Sequence, residues 1–502
     1  MASWNEELTQ WLEPFLARLG HKRRRQMCPL YVAGLIGPGE RKSMEPIAAR
    51  LAPDRYDRLH HFISSGVWDA DPLEEELARQ ADRMVGGETA VLIVDDTALP
   101  KKGTNSVGVA PQYASALGKR ANCQTLVSLT LARDEVPVAV GLRLFLPESW
   151  TGDPDRMKRA HVPEGRFLPR TKPEIALDEI DRLMAAGVRF GTVLADAGYG
   201  LSAPFRQGLS ARGLLWAVGI PKHQKVYPAD VSVIFPVAGR GRPRKNPIPD
   251  MLSGAAEAML ANADWTRLSW RNGTKGPLQA SFAAARISIA DGPPQRIHDK
   301  GQQHMPGEEA WLVGEWRPSG ERKYYLSNLP RETDLKTLAA TIKARWVCEQ
   351  AHQQMKEELG LDHFEGRSWQ GLHRHALMTM IAYAFLQHRR LGQAGREKKN
   401  LRRTASAQHA GRATRRHRGA HAKAAAGTMS ALPHPITIGA NDETAKVVLV
   451  CGSVNPVWAI TPQPPLEVRT TFNSGGEAAG SLEIVAVLNV PVQSDLSPSC
   501  PR

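Results

Sequence analysis

The spacing of apolar side chains is helical over the first part of the chain. Trp11, Phe15 and Leu19 recur four residues apart, and later positions repeat the pattern with polar residues between them. This spacing places the apolar side chains on one face of an α-helix. We therefore predict an all-α region over residues 1–88.

From residue 89 onward, short continuous apolar runs replace the helical spacing. The run 90–94 leads into Asp95 and Asp96, and the run 192–195 leads into Asp196. Short apolar runs bounded by polar residues are typical of buried strands. We predict that these acids stand where two strands end.

The order of elements between the two runs predicts the fold class. Residues 133–135 form a polar link between two strand-like runs, which is typical of a hairpin. A helix should begin near Pro173 and end at Gly187, and a short helix should cover 203–211. Strands followed by alternating helices and strands predict an α/β (α+β) core over residues 89–220, with an RNase H-like mixed sheet flanked by helices.

A second strand-rich segment follows this core. Residues 221–333 contain the pair Asn272-Gly273, a hairpin signal between strand-like runs. We interpret this segment as a β-rich insertion before a helix that carries Glu349. Asp334 is a suitable N-cap for that helix and Gly360 a suitable end, and residues 334–395 would complete the core.

The last part of the chain has a different composition. Between residues 389 and 423, twelve lysines or arginines face one acid, Glu397. Beyond about 426 the chain is rich in Pro, Gly and Ser. We therefore predict that residues 396–502 form a basic tail that is largely disordered.

Overall composition narrows the class of protein. Of the 502 residues 42% are hydrophobic and 23% charged, which is ordinary for a globular protein, while a net charge of +14 favours a polyanionic partner. Five scattered cysteines offer no disulfide or zinc framework. We find neither a secretion signal at the N-terminus nor an apolar run long enough to cross a membrane, and we expect a cytoplasmic protein.

Three widely separated carboxylates are the main candidates for chemistry. Asp96, Asp196 and Glu349 offer the hard oxygen ligands that Mg²⁺ prefers, and two such ions can clamp a phosphodiester. Strand alternation places 94 and 96 on one face, so we select Asp96 rather than Asp95. The alternative is that the two aspartates only cap turns after their strands.

Basic residues near these acids suggest contacts with phosphates. At about 100° per residue, Arg345 and Lys356 fall within roughly 40° of Glu349 on a helix. The alternative is an ordinary solvated Arg–Glu pair.

A second basic element lies in the predicted insertion. Arg240, Arg242, Arg244 and Lys245 belong to a segment similar to an AT-hook, which inserts arginines into the minor groove. The alternative is a basic loop.

Taken together, these motifs resemble the DDE insertion-sequence transposases of the insertion sequence 701 and insertion sequence 4-like group. The Tyr-Arg-Glu-Lys signature of that group is met at Arg345, Glu349 and Lys356, with Ile342 in place of the tyrosine. Its Asp-x-Gly-Tyr motif is met by Asp196, Gly198 and Tyr199. Further similar stretches are Asp95-Asp96-Thr97, Pro100-Lys101-Lys102-Gly103, the run 118–124, the run 146–150, and Leu359-Gly360-Leu361-Asp362-His363.

This resemblance implies a metal-dependent nuclease and strand transferase that uses Mg²⁺, or Mn²⁺, held by Asp96, Asp196 and Glu349. It would bind the double-stranded inverted repeats of its own element and join them to target DNA, as a homodimer when two ends are paired. Arg345, Lys356, Lys101 and Lys102 would contact DNA. The alternatives are a phosphotransferase, whose second aspartate is replaced here by Thr97, and a transposase-derived DNA-binding protein without catalysis.

Overall fold

The computed structural model describes residues 4–114, 117–235, 246–273, 276–297 and 301–417, and from residue 395 it describes only the course of the helix. The AT-hook-like residues Arg240, Arg242, Arg244 and Lys245 lie outside the described residues, as does most of the predicted tail. The first part of that predicted tail, residues 396–417, is helical.

The N-terminal region is helical, as predicted. Its helices pack around a core that includes Leu12, Phe15, Leu35, Leu59 and Leu77, each fully buried. These helices are α1 (Trp4–Arg18), α2 (Lys22–Ile36), α3 (Met44–Leu51), α4 (Tyr56–Ser64) and α5 (Asp71–Val85).

A twelve-stranded mixed sheet forms the centre of the fold. Its strands are β1 (Val91–Pro100), β2 (Ala110–Ala114), β3 (Lys119–Arg133), β4 (Val136–Leu144), β5 (Thr192–Ala195), β6 (Leu215–Ile220), β7 (Lys225–Pro228), β10 (Gly254–Ala255), β11 (Thr266–Gly273), β12 (Gly276–Ile289), β15 (Glu309–Trp316) and β16 (Arg322–Ser327). Two small separate sheets pair β8 (Val233–Ile234) with β9 (Ile248–Pro249), and β13 (Pro294–Arg296) with β14 (Gln302–His304).

The strand order explains how distant parts of the chain meet. It runs β10-β7-β12-β15-β16-β6-β5-β1-β3-β2, with β11 added at β12 and β4 at β3. The pairs β1–β5 and β5–β6 are parallel and the remaining pairs antiparallel. The strands predicted as an insertion therefore continue the central sheet through the β16–β6 pair, and the predicted mixed α/β fold class is confirmed.

Helices cover the sheet and connect its strands. They are α6 (Glu148–Thr151), α7 (Pro154–Arg159), α8 (Lys172–Ala185), α9 (Ala197–Gly200), α10 (Ala203–Ala211), α11 (Ala256–Met259), α12 (Leu335–Lys343), α13 (Trp346–Glu357) and α14 (Trp369–His417). Within the described ranges, no helix is both long enough and apolar enough to cross a membrane.

Local signals predicted several of these elements correctly. The β3–β4 hairpin turns at Asp134 and Glu135, both with positive φ, as a tight hairpin turn requires. Helix α8 begins at a complete capping box, in which Thr171 and Glu174 each bond the other's backbone N–H.

Two predicted boundaries are wrong. Strand β1 does not end at Asp96 but runs on to Pro100, because Thr97 and its neighbours continue the ladder with β3. The helix predicted from Asp334 to Gly360 is two helices. The N–H of Ala344 is shared between the carbonyls of Ala340 and Thr341, which closes α12 before α13 begins.

Candidate functional site

Sheet register brings the first two acidic segments together. β1 and β5 are parallel neighbours, with Val94 opposite Ala195. The next residues along the two strands are Asp95, followed by Asp96, and Asp196. Because β1 and β5 are adjacent and parallel, these aspartates lie at the same level of the sheet, where β5 ends. Almost a hundred residues separate them in the sequence.

The third acid reaches the same place from α13. A cavity of about 640 Å³ is lined by acidic side chains from β1, β5 and α13. We call it the carboxylate cavity, and its charged lining residues are Asp95, Asp96, Asp196, Arg345, Glu349, Lys356, Glu357 and Asp362. The structure thus brings together all three predicted acids and two of the predicted cations.

Asp96 is held by two donors. The Lys172 ammonium, in the first turn of α8, lies 2.5 Å from its Oδ2, and the Tyr199 hydroxyl donates to its Oδ1 at 2.5 Å. Burial raises the pKa of Asp96, and both donors oppose that shift. Lys172 was not singled out from the sequence, where its sole signal is a place beside a helix N-cap.

Asp95 lines the same cavity as Asp96 but has different hydrogen-bond partners. Its Oδ2 accepts from Arg345 Nη1 at 2.5 Å and from the Cys348 thiol at 3.1 Å. The same guanidinium also donates to Glu349, so Arg345 bridges the two carboxylates. These neighbouring anions hold the pKa of Arg345 well above its ordinary value despite its burial.

Asp196 adopts the turn geometry that its motif allows. Its Oδ1 accepts from the backbone N–H groups of Gly198 at 3.0 Å and Tyr199 at 3.3 Å, and so caps α9. Burial raises the pKa of Asp196, and the negative charge of Asp95 raises it further. Capping and a place in the carboxylate cavity therefore coexist in one side chain.

A close backbone approach fixes the turn that follows Asp196. A Cβ on Gly200 would lie 1.9 Å from the carbonyl oxygen of Gly219 on β6, so this position has room only for glycine. The turn consequently sits directly on the neighbouring strand.

Glu349 and Lys356 differ in their surroundings. The Glu349 side chain is 60% exposed, which makes it the most accessible carboxylate of the predicted three. Burial lowers the pKa of Lys356, while the charge of Asp362 opposes that shift. The spacing predicted for this helix face is retained on α13, although Arg345 stands at its N-cap rather than inside it.

His352 is a further buried group beside the site. Its Nε2 lies 2.7 Å from the hydroxyl of Ser128 on β3, and burial lowers its pKa to about 4. It is therefore neutral near pH 7 and ties α13 to the sheet. Sequence analysis did not identify it, because its partner is more than two hundred residues away.

The donor chemistry of the cavity fits a hard divalent cation. All its acidic oxygens come from aspartate and glutamate, the ligand type that Mg²⁺ prefers. Across the described part of the chain, however, no three His, Cys, Asp or Glu side chains stand in a ready-made metal-binding arrangement. The positive charge beside these carboxylates comes from Lys172, which pairs with Asp96, and from Arg345, which pairs with Asp95.

The predicted DNA contacts of Lys101 and Lys102 stay predictions. The Lys101 ammonium donates to the backbone carbonyls of Asp362 at 3.0 Å and Phe364 at 2.7 Å. It therefore anchors the segment between α13 and α14 to the end of β1. Lys102 is exposed.

Part of the chain is similar to a known insertion-sequence transposase. A curated relative, the probable transposase for insertion sequence element IS701 of Microchaete diplosiphon, is 30% identical over 169 residues, or 34% of this chain and 41% of that protein. The chain thus matches about two fifths of the length of that relative.

A cryo-EM structure of a piggyBac transposase synaptic complex with hairpin DNA aligns over 78% of this chain and 73% of that chain, at 10% identity. Its TM-score of 0.35 is too low to inform the site.

The family comparison covers the segments that supply the first two acids. The model of the DDE superfamily endonucleases matches residues 14–277, just over half of the 502 residues, and this range contains β1, β5 and the turn after Asp196. The chain belongs to the DDE superfamily endonuclease family.

Proposed function

We propose that this protein is the transposase of an insertion sequence, cutting DNA at the element ends and joining them to a target. The observation that carries the proposal is the carboxylate cavity, where Asp96, Asp196 and Glu349 converge from three separate segments of the chain. Membership of an endonuclease family and the partial similarity to an insertion-sequence transposase support the same assignment.

Asp96, Asp196 and Glu349 would hold Mg²⁺, or Mn²⁺, through their carboxylate oxygens. Such ions, when bound, favour attack on a phosphodiester by activating the attacking oxygen and stabilising the leaving one. We propose Asp96 rather than Asp95 as the ligand because Asp96 lines two cavities that share Asp196. Both aspartates accept from two side-chain donors, Asp96 from Lys172 and Tyr199 and Asp95 from Arg345 and Cys348.

The remaining charged residues would orient the acids and the substrate. Asp95 positions Arg345, and Arg345 in turn fixes the side chain of Glu349. Lys356 lines the same cavity and would neutralise a phosphate of double-stranded DNA. Pairing of two element ends would require two copies of the chain, hence a homodimer in the DNA complex.

Cleavage of a labelled element end in Mg²⁺ tests the proposal. Wild-type protein should nick the end, whereas Asp96→Asn, Asp196→Asn and Glu349→Gln should not, with DNA binding retained in each variant. Glu357→Gln is the matched control, because Glu357 lines the same cavity and bonds Gln353 on its own helix.

Two outcomes would change the assignment. Loss of cleavage in Asp95→Asn but not in Asp96→Asn would move the ligand role to Asp95. If the wild type binds the element end as well as its variants do but cleaves it in neither Mg²⁺ nor Mn²⁺, the protein is a transposase-derived DNA-binding protein. The observation that favours this alternative is that Arg345 pairs with both Asp95 and Glu349.

A further inference from the structure

A second cavity opens beside the carboxylate cavity and has the opposite charge. It encloses about 430 Å³ between the β6–β16 pair and helices α12 and α13. We call it the cationic groove, and the charged residues of its wall beyond the predicted site are Lys222, Arg317, Arg322, Lys323 and Lys343. It shares Asp196, Arg345 and Glu349 with the carboxylate cavity. A molecule in the groove would therefore end beside the acids.

Two of these cations are committed to the fold. Arg317 and Lys343 both bond Glu315, whose side chain is 1% exposed, at 3.1 Å and 2.8 Å. Tyr325 donates to the same carboxylate at 2.7 Å. A buried acid with three donors is a structural centre, so neither cation is available to a ligand.

The other three cations are available. Lys222 pairs with Glu257 at 3.4 Å and Lys323 with Glu321 at 3.6 Å, and all four side chains are more than two-fifths exposed. Exposed pairs of this length contribute little stability and open readily. A phosphate can replace the carboxylate in each.

Arg322 takes part in no ion pair among the described residues and lies instead against two tryptophan rings. Its guanidinium carbon lies 4.3 Å from the ring centre of Trp316 and 5.4 Å from that of Trp265. The two indoles meet edge to face at 5.9 Å and so form a rigid support. A guanidinium fixed by aromatic faces keeps its N–H donors free for a phosphate.

The size of the groove decides what form of nucleic acid it takes. A volume of about 430 Å³ is typical of a site for a small molecule, and the sheet and the helices form the walls of the groove. A duplex is far larger than this volume, so it can contact only the mouth of the groove and cannot be enclosed by it. One or two unpaired nucleotides can.

We propose that the cationic groove binds the backbone of an unpaired DNA strand next to the cleavage point, with Lys222, Arg322 and Lys323 on its phosphates. This inference rests on the proposed function and adds the strand state of the substrate. The element end would be separated over its outermost nucleotides when it is bound.

Binding measured in EDTA tests this without any need for catalysis. The full-length protein is titrated against a fluorescent element end that is fully paired, and against the same end with unpaired outermost nucleotides. Arg322→Gln and the pair Lys222→Gln/Lys323→Gln should weaken binding of the unpaired end. The slope of log affinity against log salt should fall by about 0.7 for each lost contact.

Lys336→Gln is the matched control, since it removes one exposed charge from α12 outside the groove. It should leave both affinities unchanged. The Lys222→Gln/Lys323→Gln variant keeps the test decisive if Arg322→Gln unfolds, because neither lysine packs on the tryptophans.

Each contrary result has its own meaning. If the wild type cleaves ends but the groove variants bind the unpaired end normally, the inference is overturned while the proposed function stands. Equal weakening for paired and unpaired ends also overturns it, in favour of general electrostatic attraction. If a mononucleotide binds and only that binding is lost in the variants, the groove is a small-ligand site. Absence of cleavage and of all DNA binding in the wild type instead refutes the proposed function.

Discussion

Replacement of Arg206 should destabilise the protein strongly, because it would leave a buried charge alone. Arg206 lies on α10 and is 1% exposed. Its Nη2 donates to Asp291 Oδ2 at 2.7 Å, and the Asp291 side chain is only 6% exposed. Nη1 donates to the carbonyl of Gly200, at the end of the turn that begins with Asp196. One side chain thus joins the turn that begins with Asp196 to the end of β12.

The magnitude follows from what each substitution leaves behind. Arg206→Met fills a similar volume but strands the Asp291 carboxylate, which costs about 3–5 kcal/mol. Arg206→Met/Asp291→Leu removes both charges, and an apolar pair of similar volume is often neutral or better. The carbonyl of Gly200 still loses its donor, a cost of about 1–3 kcal/mol. The double variant should therefore recover a large part of the lost stability, but not all of it.

Urea unfolding followed by tryptophan fluorescence measures these differences without screening charges. Arg212→Met is the control, because Arg212 pairs with Asp181 through side chains that are 27% and 50% exposed. That loss should stay below about 1 kcal/mol. The reasoning is refuted if Arg206→Met costs no more than Arg212→Met, or if the double variant is no more stable than the single one.

Two further predictions concern acid stability and cleavage. His375 is fully buried, with Nε2 3.0 Å from the Gly360 carbonyl and Nδ1 2.8 Å from the Tyr31 hydroxyl, and burial lowers its pKa from 6.5 to about 4. As the pH falls below 6.5, the unfolded chain binds a proton at this histidine before the folded chain does. The free energy of unfolding should therefore fall by about 3 kcal/mol between pH 6.5 and pH 4. Melting curves at both pH values should show a smaller loss of stability in Tyr31→Phe/His375→Phe than in the wild type, and an equal loss would contradict this. Tyr199→Phe removes the hydroxyl that donates to Asp96 and should slow end cleavage in Mg²⁺ about tenfold, equivalent to about 1.4 kcal/mol, with unchanged DNA affinity; an unchanged cleavage rate would exclude a positioning role for Tyr199.

Local chemistry explains which parts of the fold could be predicted from the sequence. The capping box at Thr171 and the hairpin at Asp134 and Glu135 depend on residues only a few positions apart, so their signals are complete in the sequence. The break between α12 and α13 has no proline or glycine to mark it. It coincides with the contact between Arg345, at the start of α13, and Asp95 on β1, a pairing that no local pattern contains.

The candidate site divides in the same way. Motif spacing predicted Asp196 from the turn that follows it, and Arg345, Glu349 and Lys356 from their positions along one predicted helix. Lys172 and Cys348 were missed, since each matters only through a partner on a distant strand. Residues that support a site are harder to recognise than those that form its motif.

The pair Asp95 and Asp96 shows where strand alternation stops being informative. Alternation predicts that the two side chains lie on opposite faces, but it does not say which helix each side chain contacts. In the structure α13 covers Asp95, through Arg345 and Cys348, while the start of α8 reaches Asp96 through Lys172. Both aspartates line the carboxylate cavity, but Asp95 bonds the arginine that also bonds Glu349, whereas Asp96 bonds Lys172 and Tyr199. Two neighbouring carboxylates on one strand thus need not be redundant, because the fold gives each a different helix to act upon.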